Sequence, residues 1–409
     1  MSLSLQRESV VLAAPPAAEP YPLQKLRIAI VHYWLVNRRG GERVVEALAK
    51  MFPVADLFSL VVDRNKLSPL LRERPIHTSL VQKLPANTRW YRHLLPIYPL
   101  LLEQFDLSDY DLVLSSESGP AKGVLTGSRT CHICYCHSPM RYLWDFYHGY
   151  KSGHSMGALS RAVFGLTSHY LRMWDAASAN RVDHFIANSK TVAARIRKHY
   201  RREATVIHPP VNVQAGYLSG RIGDYYLFVG QLVDYKRADL AIAACNRLGR
   251  NLRIVGEGEQ YRRLRQMAGP TISFCGSLSD EDVREQYAHC RALLFPGEED
   301  FGIVPVEAMS FGRPVIAFGR GGVTETVNGF YPDGPSSGSS SGVFLRDQTV
   351  ESLTEAIVAF ERLENNFSPF RIRQAVQNFD EGHFSELIGQ FISEKIARFQ
   401  AEGPLGKEG

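Results

Sequence analysis

The sequence predicts an α/β protein built from two Rossmann-like, doubly wound domains. Three observations carry this: the chain is 409 residues long, strand-length apolar runs alternate with helical patterns along most of it, and the alternation breaks once near the middle. A domain grows to ~100–200 residues before a chain starts another, so this length asks for two cores. Hydrophobic residues make up 44% and charged residues 22%, a balance that excludes disordered and collagen-like chains. Alternating strands and helices imply parallel sheets covered on both faces.

The opening stretch, MSLSLQRESVVLAAPPAAEPYPLQ, holds an apolar run too short for a signal-peptide core and reads as a loose tail over 1–24. The first domain is expected over 25–212. LRIAIVHYWL reads as a buried strand, NRRGG as a glycine loop, and ERVVEALAKMF from Glu42 as a helix. ADLFSLVVD, DLVLSSE, CHICYC, HFIANS and TVIHPPV are further strands, with helical signals from Lys151 to Val182 and from Lys190. Apolar periodicity lapses in NVQAGYLSGRIGD, which places a linker at 213–223.

A second series, expected over 224–375, runs through YYLFVGQL, NLRIVGEG, TISFCGS, ALLFPG and PVIAFG, separated by helices such as KRADLAIAACNRL and DEDVREQYAHC. PDGPSSGSSSG, Pro332 to Gly342, reads as a flexible surface loop. Residues 376–409 are expected to form a closing helix that packs back toward the first domain, followed by a frayed tail.

The formal net charge of +5 is too small to point to nucleic acid, although the positive charge collects in the first half. Cys131, Cys134 and Cys136 lie in a run that reads as a buried strand. Their side chains alternate between its faces and no second pair completes a four-ligand site, so they read as reduced core thiols, which suits the cytosol. No stretch of about eighteen uncharged apolar residues occurs, so no span of a membrane is expected. Asp109-Tyr110-Asp111 has the outline of a metal motif but introduces a strand. Asn366-Phe367-Ser368 fits a glycosylation sequon, which has no use in a chain without a signal peptide.

The most specific signal is PGEEDFGIVPVEAMSFGRPVIAFGRGG, where Glu299 and Glu307 flank a strand-to-helix junction. In an open parallel sheet such junctions, at the carboxyl ends of the strands, are where ligands bind. Two carboxylates there reach different parts of one extended ligand, and a helix start near Phe301, Gly302 and Ile303 offers free N–H groups to an anion or to hydroxyls. In YYLFVGQLVDYKRADLAI, Lys236 and Arg237 stand at a helix head, where fixed cations stabilise a leaving group that gains negative charge. Gly40 and Gly41 close the first loop, letting a ligand approach the backbone.

These segments together resemble glycosyltransferase family 4, the retaining glycosyltransferases of the two-domain GT-B fold, across nearly the whole chain. The resemblance implies an interdomain cleft in which Glu299 approaches the donor sugar, Glu307 binds the ribose hydroxyls, and Lys236 binds the diphosphate. His137, at the end of CHICYC, resembles the family's active-site histidine. Gln231 stands where the family usually has arginine, a departure for which Arg237 is the expected compensation. Arg141, Trp144 and Asp145 follow His137 at a spacing suited to the acceptor side. Glu325, in GRGGVTETV, lies on a glycine-rich turn the family also has. No metal and no cofactor are implied.

Through HSPMRYLWD and YKRADLAI the chain is most similar to bacterial polysaccharide mannosyltransferases that use GDP-mannose, with a lipid-linked or polysaccharide-precursor acceptor. A UDP-sugar donor and a non-catalytic nucleotide-sugar-binding subunit stay open as alternatives. A glycoside hydrolase using both glutamates is disfavoured by the cations at Lys236 and Arg237. KLPANTRWYRHLLPIYPLLLEQF, Lys83 to Phe105, mixes rings, leucines and cations. It suits either an anionic membrane interface, with the protein peripheral on the inner face of the cytoplasmic membrane, or a helical hairpin packed in the first domain. No nucleic-acid partner is expected, and the sequence leaves the oligomeric state open.

Overall fold

The computed structural model describes residues 23–37, 40–84, 88, 91–148 and 157–401. The tail expected over 1–24 lies outside them as far as residue 22, as do Arg38, Arg39, Arg89, Trp90, the start of the helical stretch from Lys151, and the C-terminal tail. Two seven-stranded sheets carry the chain, and among the described residues every strand pairing within them is parallel.

The first sheet contains β1 (Ile28–His32), β2 (Asp56–Ser59), β3 (Ile76–Thr78), β4 (Leu112–Glu117), β5 (Cys131–Cys136), β6 (His184–Ala187) and β7 (Ala204–Val206). Its order is β3-β2-β1-β4-β5-β6-β7. The second contains β8 (Tyr226–Val229), β9 (Leu252–Val255), β10 (Ile272–Gly276), β11 (Leu293–Phe295), β12 (Val315–Phe318), β13 (Gly329–Phe330) and β14 (Gly342–Leu345), in the order β10-β9-β8-β11-β12-β14-β13. Strands β1, β4, β5 and β12 are buried at every position, as expected for strands with helices on both faces. The strand order reverses direction between β1 and β4 and again between β8 and β11. Those two switch points open crevices at the carboxyl ends of both sheets.

Helix ends follow local chemistry. Ser189 caps the helix Lys190–Tyr200 by accepting from the Val192 N–H, and Ser279 caps Asp280–His289 in the same way. Gly249 ends the helix Ala238–Leu248 at φ 65°, a left-handed position that glycine takes without strain. The closing helix Glu381–Ala401 inserts Phe384, Ile388, Ile392 and Ile396 into the core built on β1, β4 and the helix Gly40–Met51.

Two differences from the sequence reading have physical causes, and one open alternative gains a structural answer. The Pro332–Gly342 stretch is exposed only as far as Ser339; Ser340, Ser341 and Gly342 are buried. Gly342 begins β14, where a Cβ would sit 2.2 Å from the Val315 carbonyl oxygen. The 213–223 segment starts with a short 3-10 turn, Val213–Ala215, and packs so closely on the helix Ile303–Ser310 that a Cβ on Gly216 would lie 2.3 Å from the Ser310 oxygen. Within Lys83–Phe105, Tyr91, Tyr98, Leu101 and Leu102 are buried in the first domain while Ile97 and Leu100 are exposed. No described helix is long and apolar enough to cross a membrane.

Candidate functional site

The two switch points face each other across a cleft of about 480 Å³. The first domain contributes the residues following β1, β4, β5 and β6, and the second those following β8 and β11. Gly40, Gly41, His137, Arg141, Gln231, Lys236, Glu299, Phe301, Gly302, Ile303 and Glu307 all line it. Reading motifs at strand ends therefore brought eleven of the proposed residues to one place.

Gly302 takes φ 88° and opens the helix Ile303–Ser310 with no side-chain cap. The backbone N–H groups at that start are thus left for a ligand. Gly40 faces it from the other domain, and a Cβ there would lie 2.7 Å from Ile303 Cδ1. A side chain at position 40 would require the Ile303 side chain to move aside.

Lys236 Nζ donates to Glu299 Oε1, so one cation and one carboxylate arrive in the cleft as a pair, with side chains 13% and 17% exposed. Glu307 is held from both sides. Arg43 Nη1, from the first domain, donates to its Oε1 at 2.6 Å, and the buried Tyr287 hydroxyl donates to its Oε2 at 3.0 Å.

His137 Nε2 lies 2.9 Å from Ser116 Oγ, and its carbonyl accepts from Asn188 Nδ2 at 3.0 Å. Burial, helped by nearby His32, pulls its pKa down to about 3. The ring is therefore neutral at neutral pH, a hydrogen-bonding group and not a cation. Arg141 Nε meets Asp300 Oδ2 at 3.1 Å. Its guanidinium lies 5.1 Å from the ring centre of Phe146 and 5.3 Å from that of Tyr235. Its Nη1 is buried and finds no hydrogen-bond partner among the described residues.

Three proposed residues are elsewhere. Arg237, at φ 55°, turns its fork onto Asp239 at 3.1 and 3.2 Å and does not line the cleft. It is therefore not positioned to compensate for Gln231. Trp144 donates Nε1 to Asp175 at 2.7 Å and stacks on His199, and Asp145 pairs with Arg195 at 2.9 Å. Both border a separate pocket of about 290 Å³ beside the cleft.

Glu325 also lies outside the cleft. It accepts from the backbone N–H groups of Lys190 (2.9 Å) and Thr191 (3.3 Å), and from His208 (3.2 Å). Burial opposes its ionisation, but these partners hold its carboxyl below the usual range. It thus caps a helix of the opposite domain. Arg43, Asn188, Tyr235 and Asp300 line the cleft without having been singled out. Asp300 had a signal in its position beside Glu299, and Tyr235 in its position beside Lys236. Among the described residues no cluster of three His, Cys, Asp or Glu is arranged to hold a metal ion.

The description "Glycosyltransferase Family 4" matches residues 38–215, and "Glycosyl transferases group 1" matches residues 223–361. Over 148 residues the chain is 30% identical to the alpha-1,3/1,6-mannosyltransferase ALG2 of Homo sapiens, covering 33% of this chain and 34% of that protein. Over 115 residues it is 34% identical to the O-antigen chain mannosyltransferase C of Escherichia coli, covering 26% and 31%. The chain thus spans about a third of the length of these curated relatives. The crystal structure of Anabaena Alr3699/HepE in complex with UDP superimposes with a TM-score of 0.65 at 16% identity, covering 90% of this chain and 99% of that one, a likeness of fold.

Proposed function

The chain belongs to the family 4, group 1 glycosyltransferases of the GT-B fold, and from that premise we propose that it transfers a hexosyl group, mannose from GDP-mannose, to a lipid-linked or polysaccharide-precursor hydroxyl. The supporting observation is the pairing of Lys236 with Glu299 beside an uncapped helix start, opposite the Gly40-Gly41 loop. In transfer, the bond from the sugar's anomeric carbon to the diphosphate oxygen breaks, a bond from that carbon to the acceptor oxygen forms, and the acceptor's hydroxyl proton passes to the departing diphosphate, with the configuration kept as in the family. The diphosphate gains charge as it leaves. Lys236 and the N–H groups at the helix start oppose that charge, an interaction stronger in the transition state than before it.

Glu299 is assigned to the sugar hydroxyls and Glu307 to the ribose, each carboxylate being able to accept from two adjacent hydroxyls. Neutral His137 is assigned a hydrogen bond to the transferred sugar, and Arg141 the acceptor side. No metal or cofactor enters the scheme. The mannose assignment draws on the similarity to the human and Escherichia coli mannosyltransferases. A lipid-borne acceptor would put the protein on the inner face of the cytoplasmic membrane.

Two observations favour second readings. Alr3699/HepE, whose fold this chain shares, is described with UDP, which supports a UDP-sugar donor. The uncharged Gln231 and the averted Arg237 support a subunit that binds the nucleotide without turnover. Purified protein incubated with a panel of sugar nucleotides, read by released nucleotide, separates all three. GDP release from GDP-mannose alone supports the first reading, UDP release the second, and binding without release the third.

A further inference from the structure

After β11 come three consecutive acids, Glu298, Glu299 and Asp300, and their side chains part. Glu299 turns to Lys236 and the cleft. Asp300 Oδ1 instead accepts from Arg195 Nη1, and Glu298 Oε1 lies 3.7 Å from Arg195 Nη2. Arg195 belongs to the helix Lys190–Tyr200 of the first domain, so both neighbours of Glu299 are held by one guanidinium across the domain boundary. Its Nε meets Asp145 Oδ2 at 2.9 Å, which fixes the fork from its own side, and Asp300 Oδ2 is taken by Arg141 Nε at 3.1 Å. A guanidinium is planar and stays charged, so a carboxylate set between two of them is fixed in direction as well as in distance. The Arg195 and Asp300 side chains are 13% and 15% exposed, and salt screens so sheltered a pair little.

The same helix is fastened at a second point. Its first N–H groups, those of Lys190 and Thr191, donate to Glu325 of the second domain, a carboxylate at the positive end of a helix. Glu325 follows the glycine turn that backs the acidic loop. The Gly322 N–H donates to the Glu299 carbonyl at 2.9 Å. A Cβ on Gly321 would lie 2.4 Å from the Glu299 carbonyl oxygen, and one on Gly322 would lie 2.3 Å from that of Asp300. The loop is thereby enclosed between a turn of its own domain and a helix of the other.

Arg195 does not line the cleft, so whatever it does for the reaction it does through the loop it holds. Arg43 also crosses between the domains, but to the carboxylate assigned to the ribose, where a donor contends with it. The Arg195 contacts are free to persist with the cleft filled. We propose that Arg195 is a positioning residue: with Asp300 it forms a clamp that sets the Glu299 loop against His137 and Arg141 when the domains meet. The proposal rests on the transfer reading above in taking Glu299 as the group at the donor sugar. Donor binding then survives loss of the clamp, whereas alignment of the sugar with the acceptor does not.

The test compares the full chain with Arg195→Gln, Asp300→Asn and the double variant, by steady-state kinetics, by calorimetric donor affinity and by solution scattering. Each single substitution is expected to lower kcat about 10- to 100-fold while donor affinity stays within about threefold of the wild type. The double variant should be no slower than the slower single one, because both remove the same contact. A merely structural role would lower Tm and leave kcat per folded molecule unchanged, and that result overturns the proposal. So do losses that add in full, or a donor affinity that falls in step with kcat. In scattering, which needs no turnover, both single variants are expected to enlarge the radius of gyration, and an unchanged radius also overturns the clamp. A sugar-nucleotide panel without turnover would overturn the transfer reading and leave the scattering comparison to decide whether Arg195 and Asp300 hold the domains in register.

Discussion

Arg43 Nη1 and Glu307 Oε1 meet at 2.6 Å across the cleft, so the carboxylate assigned to the donor ribose is already occupied by a cation from the opposite domain. Donor binding must share or displace that contact. Glu307→Gln is expected to raise the donor KM about tenfold with a smaller change in kcat, the size of one hydrogen bond to a charged group. Arg43→Ala should raise KM less and broaden the domain arrangement. Nucleotide-release kinetics read the first effect, and a larger radius of gyration in solution scattering the second.

Lys236→Ala removes the cation nearest the proposed leaving group and leaves Glu299 without its partner. A loss of roughly 10²- to 10³-fold in kcat is expected, comparable to deleting one preorganised donor. A KM effect with kcat intact would move Lys236 out of the transition state.

Arg141 brings an unpartnered guanidinium nitrogen into the cleft that Gln231 also lines. If this nitrogen serves the diphosphate, Arg141→Gln should lower kcat about tenfold or more, and adding Gln231→Arg should recover part of the loss. If it serves the acceptor, acceptor KM rises and the second substitution restores nothing. Steady-state kinetics varying each substrate in turn tell the two apart.

Acid should destabilise the fold before it reaches the carboxylates. Burial lowers the pKa of His32 and His132 to about 4 and of His137 to about 3, below the unfolded value of about 6.5. Stability from neutral burial is therefore complete above that value and lost as pH falls toward 4, by roughly 1.4 kcal/mol per pH unit for each ring. Glu117, raised to about 7 chiefly by burial, runs the other way over most of this range and offsets one of them. Urea midpoints at pH 7.5 and 5.5 should differ accordingly, and kcat/KM should show no inflection from His137 between those values.

What the sequence made legible was local. Strands such as β1 and β5 announce themselves as uninterrupted apolar runs, and His137, Glu299 and Lys236 lie in the segments that follow strand ends, which the topology brings together. What stayed hidden depends on partners distant along the chain. Trp144 and Asp145 are drawn aside by Asp175 and Arg195, and Arg43 looks like an ordinary surface charge until Glu307 arrives. Arg237 is a different case: its left-handed backbone and the acid two residues on decide its aim, and helix periodicity does not report them. Strand β14 was obscured by the serine-rich composition leading into it.

The chain passes between the halves twice, once beyond β7 and once before the closing helix, and the passages are bound to each other where the Val211 N–H donates to the Phe379 carbonyl at 2.8 Å. A door hung on two adjoining pins can swing but cannot slide or lift. A pivot at these two adjoining passages predicts a rocking motion of the halves, so extra residues inserted in one passage alone should hardly widen the gape, because the other still sets the pivot.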